Sequence, residues 1–335
     1  MIRTEAEVDR LLADNPADIE ALVAKGDYRL SDGQERAAAA FYRAALQAAG
    51  AAAAASGALP LQLKAPIEQA QRALAAAERQ FETSLMEGLS AAGFPEDKRP
   101  ARFQNSLDIL TGRAQTQLQL QRPTGYYYPG LPQRPYYERH EFTWVPDLEG
   151  KTGTILAELR RWLNGGKDGF SPYLVSDPSR PRSGFHGLVD NPAWSTLYLT
   201  RDGEIMPELA SSFPATVDAL AAAPLPRIGK RAPSILFSRL AAGARIPPHH
   251  GMLNARLICH LPLIVPEGCG FRVGLETRQW NMGELLVFDD TVEHEAWNNS
   301  QSDRYLLIFD IWRPELDPAE QGAVRSLFEV LDAYQ

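Results

Sequence analysis

The chain has 335 residues, 44% apolar and 23% charged, a soluble globular composition that excludes a fibrous, collagenous or wholly disordered protein. Lys and Arg number 34 against 42 Asp and Glu, and the net charge of −8 gives no global positive field for nucleic acid or an anionic membrane surface. Cys259 and Cys269 are too few for a disulfide scaffold, and the polar start Met1-Ile2-Arg3-Thr4-Glu5 has no apolar leader core, so the expected address is reducing and cytoplasmic.

Residues 5 to 49 predict a helical hairpin broken at Ser31-Asp32-Gly33, with Ala38, Phe41, Tyr42, Ala45 and Leu46 at helical spacing after the break. Leu22, Gly26, Ala38, Tyr42 and Ala45 sit at the offsets of the packing residues of a tetratricopeptide unit, and the segment resembles one such repeat, with a docking role toward a protein partner. An ordinary Ala-rich helix pair is the other reading. Residues 48 to 58, nearly all Ala, Gly and Ser, either extend that helix or form a linker. The uncharged stretch 44 to 63 lacks the Leu, Ile and Phe of a membrane span. Helical spacing returns at 64 to 92 and 101 to 121, giving a helical region over 1–122 and a second domain over 123–335.

Residues 123 to 146 mix Pro123, Pro129, Pro132, Pro135 and Pro146 with Tyr, Phe and Trp rings. This is an ordered loop that braces a domain interface or lines a cleft. After a helix expected at about 152 to 164, short strand-like runs follow at 196–200, 234–240, 256–265, 270–276, 284–288 and 304–312. No crossover helix fits between 234 and 312, so the strands predict an antiparallel jelly roll; the fold class is α+β, helices first and barrel second. Asp317-Pro318-Ala319-Glu320 starts a capped final helix running to about Ala333.

Four of the six histidines, His249, His250, His260 and His294, fall in this β region. Neutral imidazoles on neighbouring strands can hold a transition metal, and His249, just before one strand, pairs naturally with His294, just after another. His140 and His186 weigh less, and His250 is expected to point opposite His249. The acids Asp289, Asp290, Glu293 and Glu295 are expected to cap and solvate a tight turn, Asp290 being the hardest to dismiss. Alternation places Arg256, Ile258 and His260 on one face of their strand.

Pro248-His249-x-Gly251-x-x-Asn254-x-Arg256-Leu257-x-x-His260, Phe288-Asp289-Asp290, Glu293-His294-Glu295-x-Trp297 and Asp310-x-Trp312-x-Pro314-Glu315-Leu316 run in one order. In these motifs the chain resembles the aspartyl/asparaginyl β-hydroxylases, iron(II)- and 2-oxoglutarate-dependent dioxygenases. The resemblance implies a double-stranded β-helix and a hydroxylase of an unactivated C–H, the β-carbon of Asp or Asn in a peptide or a related small molecule. It implies iron(II) held by His249 and His294 alone, because Gly251 stands where most such oxygenases carry an acidic ligand. It further implies 2-oxoglutarate held by Arg304 with Ser238 and supported by His260 at the metal end, with Trp194 near that pocket, O2 as co-reactant, and Arg256 on the substrate side. Familiar vertebrate-type members carry an Arg where this chain has Ile258, which leaves open whether the substrate is acidic or whether Arg239 or Arg256 substitutes. Two other classes remain open: a non-catalytic scaffold with a metal-free barrel, and a cupin-type metalloenzyme that does not use 2-oxoglutarate.

Overall fold

The computed structural model describes residues 4–57, 59–114, 120–166, 169–177 and 187–334. The chain forms two compact units, one of residues 1–93, 176–184 and 330–335, the other of residues 94–175 and 185–329.

The first unit contains α1 (Glu5–Asp14), α2 (Ile19–Ser31), α3 (Glu35–Ser56) and α4 (Lys64–Ala91). Thr4 and Glu7 form a reciprocal capping box that satisfies two orphan amides of α1. The expected break after Ser31 is present because Gly33 takes a φ of +73°, which costs glycine nothing. The Ala-rich stretch extends α3 and ends at Gly57, φ +75°, so it is helix rather than linker. Between α2 and α3, Gly26 gives the Tyr42 ring its space: a Cβ there would lie 2.6 Å from the ring. The Tyr42 hydroxyl donates to Asp27 at 2.7 Å, and Leu22, Phe41, Ala45 and Leu74 close the core around it. Among the described residues no helix is long and apolar enough to cross a membrane.

The second unit begins with α5 (Ala101–Leu110), which stops well before residue 121 because Gly112 turns the chain at φ +77°. Residues 115–119 of that expected helix lie outside the described residues. The ring-rich segment that follows, including β1 (Tyr136–Tyr137), braces this unit. Tyr126 shares a hydrogen bond with Ser106 at 2.7 Å, Tyr128 donates to Glu320 at 2.9 Å and Tyr137 to Glu315 at 2.6 Å. Burying such rings is most favourable when the hydroxyl finds a partner, as those of Tyr126, Tyr128 and Tyr137 do; the buried Tyr136 hydroxyl has none among the described residues.

The remaining elements are α6 (Val145–Gly150), α7 (Thr152–Asn164), β2 (Ser171–Pro172), β3 (Trp194–Arg201), β4 (Glu204–Ile205), α8 (Pro207–Ser212) and α9 (Pro214–Ala219). There follow β5 (Ile235–Leu240), β6 (Arg245–His249), β7 (Arg256–Ile264), β8 (Cys269–Val273), β9 (Glu276–Arg278) and β10 (Leu286–Phe288). The chain then passes through β11 (His294–Asn298) and β12 (Arg304–Trp312) to α10 (Pro318–Ala333). One sheet runs β1-β10-β7-β12-β5-β3-β2 with β4 on β3; the other runs β6-β11-β8-β9. Every pairing between these strands is antiparallel, which gives the expected jelly roll.

Side-chain alternation in the larger sheet separates two cores. Leu257, Cys259 and Leu261 of β7 with Leu307, Phe309 and Ile311 of β12 pack against Ile155, Leu159 and Phe213 on the helical side. Each such buried side chain contributes about 1.5–3 kcal/mol. The opposite face turns Trp194, Ser238, Arg256, His260 and Arg304 toward the second sheet, and all five line one cavity there. A one-residue slip of β7 or β12 would exchange these polar groups for the apolar set, so the helical core fixes the register of the site.

Candidate active site

The cavity has a volume of about 330 Å³ and lies wholly within the second unit. His249, the last residue of β6, is directly opposite His294, the first residue of β11. Both were expected outside strands. The edge position of β6 accommodates Pro247 and Pro248, which a central strand would not.

The two rings lie 4.0 Å apart between centroids. Nδ1 of His249 donates to the Pro247 carbonyl at 2.9 Å and Nδ1 of His294 to the Val292 carbonyl at 3.1 Å. These bonds fix the tautomer and put the lone pair of each neutral imidazole on Nε2. Burial lowers both pKa values, that of His294 well below the usual range, so both rings are in the neutral, ligating form at pH 7. Among the described residues no group of three or more His, Cys, Asp or Glu is arranged to hold a metal, so these two histidines stand as a pair.

Gly251, two residues on, has its side-chain space filled by another residue. A Cβ there would meet the Asp290 carboxylate oxygens at 2.0 and 2.6 Å. Gly251 N–H donates to the Asp290 carbonyl at 2.6 Å, which holds the approach in place. Asp290 Oδ2 lies 3.2 Å from the Arg256 guanidinium, while Oδ1 is buried without a hydrogen-bond partner among the described residues. Gly251→Ala is therefore expected to destabilise the protein by about 1–3 kcal/mol, read as a lowered Tm. An unchanged Tm would show that Asp290 moves aside at no cost.

At the other end of the cavity Arg304 is 1% exposed. Its guanidinium donates to Ser238 Oγ at 3.2 Å and lies 4.9 Å above the Trp280 ring, but Nε has no hydrogen-bond partner among the described residues. Among the described residues no carboxylate pairs with it, and burial pulls its pKa down to about 10. A buried cation without an acid costs several kcal/mol, offset here only in part by the indole face. Beside it His260 presents an unpartnered, buried Nδ1 among Phe271, Trp280 and Phe288; burial, then Arg304, pushes its pKa well down. Trp194 stacks on Tyr173 at 4.1 Å and stands 6.1 Å from the His249 ring.

The acid cluster departs from the expected solvated turn. Asp289 is fully buried against Arg313 and accepts from Gln121 Nε2 at 2.6 Å, and Asp290 is buried against Arg256. Glu295 pairs with Arg272 at 2.6 Å and with Arg245. His250 also lines the cavity rather than turning away from it. His140 is exposed, and His186 lies outside the described residues. Trp280 had no signal in the sequence beyond being a lone Trp between strands.

The sequence profile described as aspartyl/asparaginyl beta-hydroxylase matches residues 150–314. The chain is 31% identical to the human aspartyl/asparaginyl beta-hydroxylase over 189 residues, 55% of this chain and 24% of that protein. It is 29% identical to human aspartate beta-hydroxylase domain-containing protein 2 over 62% of this chain and 55% of that one. It is also 29% identical to the ornithine lipid ester-linked acyl 2-hydroxylase of Rhizobium tropici, over 57% of this chain and 65% of that one. In each case the match spans less than two thirds of the relative's length. The segment that carries the paired histidines and the buried arginine, residues 150–314, belongs to the aspartyl/asparaginyl β-hydroxylase family.

Proposed function

We propose that the chain is a hydroxylase that uses iron(II), 2-oxoglutarate and O2 to place a hydroxyl on an unactivated carbon of a peptide or small molecule. The observation that carries this reading is Arg304: a buried guanidinium with no acid beside it among the described residues, in the same cavity as two neutral imidazoles. A carboxylate satisfies that cation with a bidentate pair of charge-assisted hydrogen bonds. The relatives act on very different molecules by name, a protein aspartyl or asparaginyl residue in one case and a lipid acyl chain in another, and hydroxylation is what those names share.

His249 and His294 would hold the metal through Nε2, their Nδ1 protons fixed on backbone carbonyls. Arg304 and the Ser238 hydroxyl would hold the distal carboxylate of 2-oxoglutarate, and the unpartnered Nδ1 of His260 would meet its other end. When bound, iron(II) and 2-oxoglutarate supply the oxidising power, O2 being consumed as 2-oxoglutarate leaves as succinate and CO2. The apolar wall of Trp194, Ile246, Phe271 and Phe288 excludes water from that chemistry. In the first unit, the seating of the Tyr42 ring on Gly26 supports the tetratricopeptide-like reading, for which we propose docking to a protein partner.

The test is succinate formation under air with iron(II) and 2-oxoglutarate, in the presence of a panel of peptides and acylated small molecules. Succinate that depends on both iron and O2, and hydroxylated product at one carbon, are expected. Iron binding with no consumption of 2-oxoglutarate under any condition would overturn the assignment in favour of a cupin-type enzyme.

A further inference from the structure

Two cations line the cavity, and the structure treats them oppositely. Arg304 has no acid. Arg256 has two, Asp290 Oδ2 at 3.2 Å from its terminal nitrogen and Asp310 Oδ2 at 3.5 Å from Nε, with the three side chains 11%, 9% and 2% exposed. Both acids also line the cavity. Burial alone would lower the pKa of Arg256, but Asp290 and Asp310 outweigh it and raise the value, the reverse of Arg304. The next inward residue on β7 is Ile258, directly opposite Asp310 on β12, so the position best placed to supply a second balancing cation holds an alkyl group. Asp310 otherwise accepts only a backbone bond, from Ser234 N at 2.9 Å. Burial raises the pKa values of both acids, that of Asp310 to about 6, which is still below neutral pH. With both ionised at pH 7, the formal charge is +1 at the Arg304 end and −1 at the Arg256 end.

We propose that the Arg256 end receives a part of the substrate that bears no negative charge, a neutral or cationic organic group, and rejects a carboxylate. A second carboxylate brought there would face two acids already sharing one guanidinium in a site largely shut off from water, and no charge remains to compensate it. Arg256 then contributes as a hydrogen-bond donor through its other terminal nitrogen, which has no hydrogen-bond partner among the described residues, rather than as an anion anchor. The surrounding wall of Tyr173, Leu174, Trp194, Met252 and Ile258 suits an uncharged carbon framework. The inference rests on the proposed function for the identity of this end as the substrate side, but the charge balance is a property of the protein alone.

The test uses two nearly isosteric probes, the anionic N-acetyl-aspartate amide and the neutral N-acetyl-asparagine amide, titrated calorimetrically into the protein with and without iron(II) and 2-oxoglutarate. Wild type is compared with Ile258→Arg, which adds a cation, and with Asp310→Asn, which removes an acid while keeping size and the acceptor for Ser234 N. In wild type the asparagine probe is expected to bind at least as tightly as the aspartate probe. Each variant is expected to improve affinity for the aspartate probe by about tenfold or more, with little change for the asparagine probe. Preference for the aspartate probe in wild type, or no gain in Asp310→Asn, would overturn the proposal. The visible band of the iron and 2-oxoglutarate complex, recorded before each titration, reports separately on the proposed function. Its absence from all three proteins sinks that reading while the metal-free titrations still decide the charge question.

Discussion

His294→Ala and His249→Ala are each expected to lower iron(II) affinity by well over ~100-fold, because each removes half of the proposed two-residue ligand set. Loss of a mere outer partner of a ligand already costs ~10–100-fold. The site has no third protein ligand in reserve among the described residues, and Asp290, which fills the space at Gly251, is engaged by Arg256. Both rings sit on strand ends outside the helix-facing core, so the variants should remain folded, with thermal unfolding near that of wild type. Anaerobic calorimetry with iron(II) reads the effect. Affinity within a few-fold of wild type in either variant would place the metal elsewhere.

Arg304→Met is expected to separate stability from function. In the ligand-free protein the change removes a buried cation that has only Ser238 and the Trp280 face for company, and replaces it with an apolar side chain of similar length. Tm should rise by a few degrees while 2-oxoglutarate binding falls by about 100-fold, the worth of a bidentate charge-assisted contact of about 3 kcal/mol. The pH dependence has a matching sign. With its pKa held at about 10 by burial, Arg304 carries its charge at neutral pH, and affinity for 2-oxoglutarate should fall as pH rises through about 10. An exposed guanidinium, with its pKa above 12, would show no such loss there. A fall in Tm without loss of binding would mean that Arg304 is a structural residue.

The sites most legible in the sequence are those whose chemistry is local. The pairing of His249 with His294 and the strand alternation of Arg256, Ile258 and His260 could be read from spacing, Gly251 only through the family resemblance, and the structure places them around one cavity. β6 and β11 were not legible as strands because each is short and one carries two prolines; they become a ladder through pairings distant in sequence, His294 with His249, Ala296 with Ile246 and Trp297 with Arg245. The turn after β10 misled more seriously. Asp289 and Asp290 look like a solvated turn because their partners, Arg313 and Arg256, are distant in sequence and arrive only when β7, β10 and β12 align. The same holds for Trp280, whose contact with Arg304 depends on the second sheet closing over the first. Helix ends followed glycine where a positive φ was required, as at Gly33, Gly57 and Gly112, and the last of these shortened α5 against the expectation from helical spacing.

The most direct measurement of the central claim is an anaerobic titration of the metal-free protein with iron(II) and then 2-oxoglutarate, followed in the visible spectrum, which requires no knowledge of the substrate. A weak charge-transfer band is expected in wild type, absent from His249→Ala and His294→Ala and reached in Arg304→Met only at far higher 2-oxoglutarate. Iron binding in wild type with no band at any 2-oxoglutarate concentration would contradict the account.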